Sequence, residues 1–130
     1  MEELHRSIFL KDLKIAFPQL KDDINTQYGL LHLEMHVFAD FAQRCITGGD
    51  VKQARSCLML AEKYCSGGNA DMRNAIVISF VEHLDLRQAQ WAWDLLGPRL
   101  RDVYLQCIAI GTGFIDGAPT GAPQQSLPQV

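Results

Sequence analysis

Apolar residues recur at helical spacing through most of the chain, and glycine or proline interrupts them at regular intervals. The first such segment, about residues 3–16, uses Ile8, Leu13 and Phe17 as apolar positions. It must stop near Phe17, because Pro18 disfavours the helical conformation in the residue before it. Pro18 can then open a short second helix to about Tyr28, closed by Gly29. A third helix is predicted over about 30–47. Leu31, Met35, Phe38, Ala42 and Cys45 form one face of it, and Leu30, Leu33, Val37 and Phe41 a second stripe beside that face. So wide an apolar surface predicts a central helix. Gly48-Gly49 ends it, and Asp50 is a suitable N-cap for a fourth helix over 51–65.

Gly67-Gly68 closes the fourth helix, and Asn69 or Asp71 can cap a fifth that reaches about Leu84. Ala75-Ile76-Val77-Ile78-Ser79-Phe80-Val81 is β-branched enough for a buried strand. Helix is the better reading, because the stretch between turn signals is long and no other segment offers a partner strand. Asp85 is read as the cap of a sixth helix over 85–97, and Gly97-Pro98 breaks it before a seventh over about 98–110. The expected fold is therefore all-α, a single domain of six or seven helices over 1–110. From Gly111 the chain becomes rich in Gly and Pro, and 111–130 reads as a disordered, flexible tail.

A self-match at 35 residues aligns Asp50-Val51-Lys52-Gln53-Ala54-Arg55 with Asp85-Leu86-Arg87-Gln88-Ala89-Gln90. The stripe Val51, Ala54, Leu58, Ala61, Cys65 maps onto Leu86, Ala89, Trp93, Leu96, Leu100, all apolar. The period lies near the roughly 34 residues of helix-turn-helix repeats, which predicts stacked helical hairpins of TPR or HEAT type. Two Asp-capped amphipathic helices could also match by coincidence. Stacked hairpins expose broad surfaces that suit macromolecular partners, an analogy at the level of fold.

Composition narrows the function classes. The chain has 130 residues, 48% hydrophobic and 21% charged, with a formal net charge of -3. Such a balance argues against a phosphate-neutralising nucleic-acid binder. No uncharged apolar run approaches the roughly 20 residues of a membrane span, and the start lacks the layout of a secretion signal. Cys45, Cys57, Cys65 and Cys107 contain no CxxC spacing and read as free thiols in a reducing cytoplasm.

Few residues offer chemistry. His32, His36 and Asp40 share one helix face at i, i+4 and i+8, a spacing that could hold a metal. The general-base Glu of a metalloprotease motif is missing, since Glu34 falls on another side, and an ion pair of His36 with Asp40 explains the pattern as well. Glu82, His83 and Asp85 could do acid–base work, but His83 also suits a helix C-terminus and Asp85 a cap. Trp93 is expected in the core. Trp91 should be more exposed, either as an interface anchor or packed on a neighbouring helix. Arg99 and Arg101 make a weak basic spot, and no phosphate-cradle, cofactor or nucleophile motif appears.

Phe17-Pro18-Gln19-Leu20, Leu31-His32-Leu33-Glu34-Met35-His36-Val37-Phe38-Ala39, Gly49-Asp50 and the run from Asn74 to Asp85 together resemble a family of small bacterial helical proteins without assigned activity, over about 13–100. Such proteins resemble immunity proteins of polymorphic toxin systems, including contact-dependent growth inhibition. The resemblance implies a cytoplasmic binding protein that occludes a toxin domain, with no catalytic residue and no cofactor to carry over. The expected partner is a protein rather than nucleic acid or membrane. Glu34, Asp40, Glu82, Asp85 and Trp91 are the expected contact residues. A helical adaptor is the alternative, and a metal protein or enzyme using His32, His36 and Asp40 is the contrasting class. The oligomeric state stays open.

Overall fold

The computed structural model describes residues 4–27 and 29–111, with side chains to Cys107. Residues 112–130 of the expected tail therefore lie outside the described residues. The architecture is all-α, as the periodicity predicts. The α-helices are α1 (Arg6–Ala16), α2 (Lys21–Thr26), α3 (Leu31–Thr47), α4 (Val51–Gly67), α5 (Ala70–Ala75) and α6 (Pro98–Gly111). A 3-10 turn at Pro18–Leu20 leads into α2. Among the described residues the β geometry is limited to an isolated bridge between Leu4 and Gly68.

The turns use the expected residues. Gly49 has φ of 75°, a left-handed conformation that a side chain would strain, and it lets α4 return along α3. Asp50 then accepts the N–H of Gln53 at 3.1 Å, and Asn69 accepts that of Met72 at 2.9 Å, so both act as N-caps. The start of α6 has no such local cap. Glu62 of α4 reaches across and accepts the N–H groups of Arg99 and Leu100, at 3.3 and 3.0 Å.

Between α4 and α5 the backbone closes tightly around Gly68. A Cβ there would sit 2.4 Å from the Tyr64 carbonyl oxygen and 2.8 Å from Met72 Cβ. Backbone cannot yield as a flexible side chain does. Gly68→Ala is therefore expected to cost about 2 kcal/mol in chemical denaturation, and a cost below about 0.5 kcal/mol would remove the argument.

The core is one cluster centred on the α3–α4 hairpin. Phe9, Phe17, Phe38 and Phe80 meet there, with Phe38 between the other three. The first predicted stripe of α3 is buried from Met35 to Cys45, with Leu31 packed partly against it. The second stripe divides. Val37 and Phe41 pack against the core from its edge, whereas Leu30 and Leu33 are exposed.

Two sequence expectations need correction. The predicted fifth helix is helical to His83, but it is not one α-helix. After Ala75 the backbone widens into a π-helix at Ile76–Phe80 and tightens into a 3-10 turn at Val81–His83. Ile76, Phe80 and Val81 are all buried along this stretch.

The sixth helix over 85–97 does not form as an α-helix. Residues 84–89 run as extended backbone and a turn, followed by a 3-10 helix at Gln90–Leu95. Asp85 spends its carboxylate on Arg87, while the Gln43 side chain binds both the N–H and the carbonyl of Asp85. Leu86 donates its N–H to the Tyr104 hydroxyl at 3.2 Å. Of these groups only the Asp85 carbonyl would be used by a helix starting there, and Gln43 takes it. The 35-residue match does not become a structural repeat, since α4 is a 17-residue α-helix and its counterpart is not. The stripe residues are still mostly inside. Val51 is exposed and Trp93 half-buried, while the other eight are buried.

Candidate functional site

One side of α3 carries polar residues one or two turns apart: His32, His36 and Gln43. The segment from Ser79 to Asp85 packs along that side and answers each in turn. His32 Nδ1 lies 2.6 Å from the buried Ser79 hydroxyl. The His36 and His83 rings touch, with centroids 4.4 Å apart and a 59° tilt. Gln43 closes the seam by donating to the Asp85 carbonyl at 3.1 Å and accepting the Asp85 N–H at 2.8 Å. Three polar rungs therefore join α3 to a segment that is apolar on its inner side through Phe80, Val81 and Leu84.

Two of the expected contact residues lie along this seam, and a third, Glu82, is on the segment that packs there. Asp40 follows His36 by one helical turn and is exposed, Glu82 precedes His83 and is exposed, and Asp85 sits on the Gln43 rung. Asp40 pairs with Arg44 rather than with His36. Asp85 takes both the backbone and the guanidinium of Arg87, and these hydrogen bonds hold its carboxyl below the usual carboxylate range. The His36 ring is pushed to a lower pKa, first by burial and then by the neighbouring His83 and His32.

Glu34 is the correction. Its side chain is 1% exposed and points to the opposite side of the helix, where it accepts Arg6 Nε at 2.8 Å and Nη2 at 2.6 Å. The Gly29 N–H adds a third bond at 3.2 Å. This carboxylate ties α1 to α3 and offers nothing outward. Trp91 and Trp93 are both half-buried against the core rather than split into an inner and an outer ring. Trp93 lies beneath the Arg101 guanidinium, 5.5 Å from centroid to Cζ, so Arg101 is drawn away from any basic spot with Arg99.

No chemistry is assembled where the sequence offered it. His32 turns to Ser79, His36 to His83 and Asp40 to Arg44, and no group of three donor side chains that could hold a metal occurs among the described residues. Glu82, His83 and Asp85 likewise separate, each toward different surroundings. All four cysteines are free thiols, with Cys45, Cys57 and Cys65 buried; burial pushes their pKa values up, which leaves them poor nucleophiles. A shallow cleft of about 460 Å³ lies where His5, Arg6, His32, Asn69 and Asn74 meet. It adjoins the upper end of the seam through His32.

Gln43, Ser79 and the facing role of His83 were not legible as a set in the sequence. The signal was the spacing of His32, His36 and Gln43 on one helix side, but their partners come from residues 42 to 47 positions away.

Residues 10–110 match a family described as a domain of unknown function, DUF7674. The chain belongs to the DUF7674 family. That match spans α1 from Leu10 through nearly all of α6, so the three-rung seam lies wholly inside the DUF7674 region. No curated protein and no solved structure matches the chain. Among the described residues of this DUF7674 protein, no helix is long and apolar enough to cross a membrane.

Proposed function

We propose that the chain is a binding protein, an immunity protein that neutralises a toxin domain by covering its active site. The observation that carries this reading is the placement of the Asp40 and Asp85 carboxylates along one seam, with the exposed Glu82 on the segment that packs there. Exposed carboxylates of this kind steer association with a basic surface, and toxin domains that act on nucleic acid present one. The arginines now paired with them do not block this use. Asp40 and Arg44 are 69% and 62% exposed, and exposed pairs of this kind contribute little and exchange readily for a partner's cation. Glu34 is no longer part of the contact surface, and Trp91 offers at most its half-exposed edge.

A toxin gene is expected directly upstream of this chain's gene, and the test uses the domain it encodes; absence of such a gene counts against the reading. Co-expression should protect cells, and the purified proteins should form a 1:1 complex. The triple variant Asp40→Lys, Glu82→Lys, Asp85→Lys should weaken that complex by about 100-fold or more, mainly through slower association at low salt, and should keep its helical circular dichroism. Failure of the wild-type chain to protect, or full affinity in the folded triple variant, sinks the reading.

A further inference from the structure

We propose that the outward side of α3, from Leu30 to Arg44, is a docking surface for a cationic amphipathic helix of a protein partner. The partner's apolar stripe covers Leu30, Leu33 and Val37, and one of its Lys or Arg side chains enters the cleft between Asp23 and Asp40. The docking role rests on the proposed binding function for there being a protein partner, and adds the kind of segment that binds and where it lies.

Leu30, at the N-cap of α3, and Leu33 in its first turn are 54% and 41% exposed. With the half-buried Val37 they stand at i, i+3 and i+7, so the three share one helix side. That is the spacing at which one amphipathic helix engages another. Ile15 on α1 and Leu105 on α6 are exposed as well, but each stands singly on its helix, which is ordinary for a surface. The strip on α3 has the pattern of a buried face, yet among the described residues two of its three members stay open to water.

The strip runs between two neighbours. The segment from Ser79 to Asp85 lies along its His32, His36 and Gln43 side, and α2 stands across a cleft on the other. That cleft, of about 200 Å³, is lined by Asp23, Thr26 and Gln27 and by Val37, Asp40 and Arg44 of α3. Sites for whole small molecules run to roughly 300–1,000 Å³, so this one suits a single long side chain. Two carboxylates face one guanidinium there, which leaves the cleft net negative. Arg44 is spent on Asp40, and Asp23 has no ion pair among the described residues. A lysine or arginine whose methylene stem lies on Val37 would bring its cation to Asp23 and Asp40.

The surface thus changes from apolar at Leu30 to acidic at Asp40 over ten residues, about 15 Å of helix. The occupant must offer both characters along one short, rigid element, which an amphipathic helix with flanking cations does. A second copy of the chain fits less well, because it would bring a net charge of -3 toward an acidic cleft. An anionic lipid surface would be repelled by the same carboxylates.

The probe is a fluorescein-labelled synthetic helix of about 18 residues, with Leu at i, i+3, i+4 and i+7 spacing and Lys on both flanks. Titrated with the full chain and followed by fluorescence anisotropy, it should bind saturably. The double variant Leu30→Ser, Leu33→Ser should weaken binding at least about tenfold, as should Asp23→Asn with Asp40→Asn at low salt, both with unchanged helical circular dichroism. Met59→Ser removes a still more exposed apolar side chain from α4 and should leave binding unchanged. The same peptide with Glu in place of Lys should not bind. Absence of saturable binding, equal binding of the Glu peptide, full affinity in either double variant, or an equal loss in Met59→Ser overturns the proposal. So does sedimentation that shows a dimer of the chain dissolved by Leu30→Ser with Leu33→Ser, because the strip then belongs to a second copy. A chain that binds the probe through the strip but fails to protect cells keeps the docking surface and loses the immunity role. One that protects cells equally well with Leu30→Ser and Leu33→Ser, and whose probe binding ignores them, keeps the immunity role and loses the docking surface.

Discussion

Phe38→Ala will lower the free energy of unfolding by about 4 kcal/mol, the largest loss expected from any single truncation in this chain. Phe38 is fully buried at the midpoint of α3, and its ring lies 4.7 Å from that of Phe80, 5.9 Å from Phe9 and 6.3 Å from Phe17. Those three partners come from the π segment, from α1 and from the turn before α2. Removing the ring takes away its own burial and leaves a cavity that three rigid aromatics cannot collapse to fill. Urea denaturation followed by circular dichroism measures the loss. Phe38→Leu, which keeps most of the volume, should cost only about 1.5 kcal/mol. A Phe38→Ala cost below about 2 kcal/mol would show that the surrounding elements adjust freely, and the description of Phe38 as the common contact would be wrong.

Glu34→Ala is expected to cost about 3 kcal/mol, although a charged residue on an amphipathic helix is ordinarily replaceable. The side chain accepts three hydrogen bonds, two from the Arg6 guanidinium and one from the Gly29 N–H, and it is almost wholly shielded from water. Its loss leaves the Arg6 side chain, 30% exposed, without this bidentate anion. It also leaves the Gly29 amide without that acceptor at the entry to α3. Glu34→Gln preserves shape and one acceptor oxygen, so it should recover roughly half of the loss. Denaturation of the two variants at neutral pH separates the charge from the packing. A surface role for Glu34 would instead give a change within about 0.5 kcal/mol in both.

These predictions also separate two kinds of acidic residue that look alike in sequence. Glu34 and Asp40 lie on the same helix six positions apart, yet one is inside an ion pair and the other is 69% exposed. Helical periodicity places Glu34 away from the face of His32, His36 and Asp40, which is correct. It cannot say that the other side of α3 is covered, because the cover is α1, and the contact depends on an arginine 28 positions earlier. The same limit explains the histidines. The spacing of His32 and His36 suggested a shared ligand, but each ring found a partner on the segment after α5.

The sequence by itself determined the all-α class, the α1, α3, α4 and α6 spans to within a few residues, and the cap at Asp50, and it narrowed the cap of α5 to Asn69 or Asp71, of which the structure uses Asn69. These follow from short-range physics: side-chain periodicity, proline geometry and oxygen atoms within reach of a first-turn N–H. The free thiols expected from the cysteine spacing are found, and the structure shows Cys45, Cys57 and Cys65 to be the buried ones. Only the tertiary structure decided the path of 76–97. There, bulky apolar residues had to fit against α3 and α4, and the backbone of Asp85 and Leu86 is held by Gln43 and Tyr104. Local preference for helix at 85–97 is worth only tenths of a kcal/mol per residue, whereas burying Leu86, Ala89, Ala92 and Leu96 together is worth several, on the order of 1 to 2 for each larger side chain. Where those two terms disagree, packing sets the backbone, and the polar seam along α3 is a consequence of that outcome.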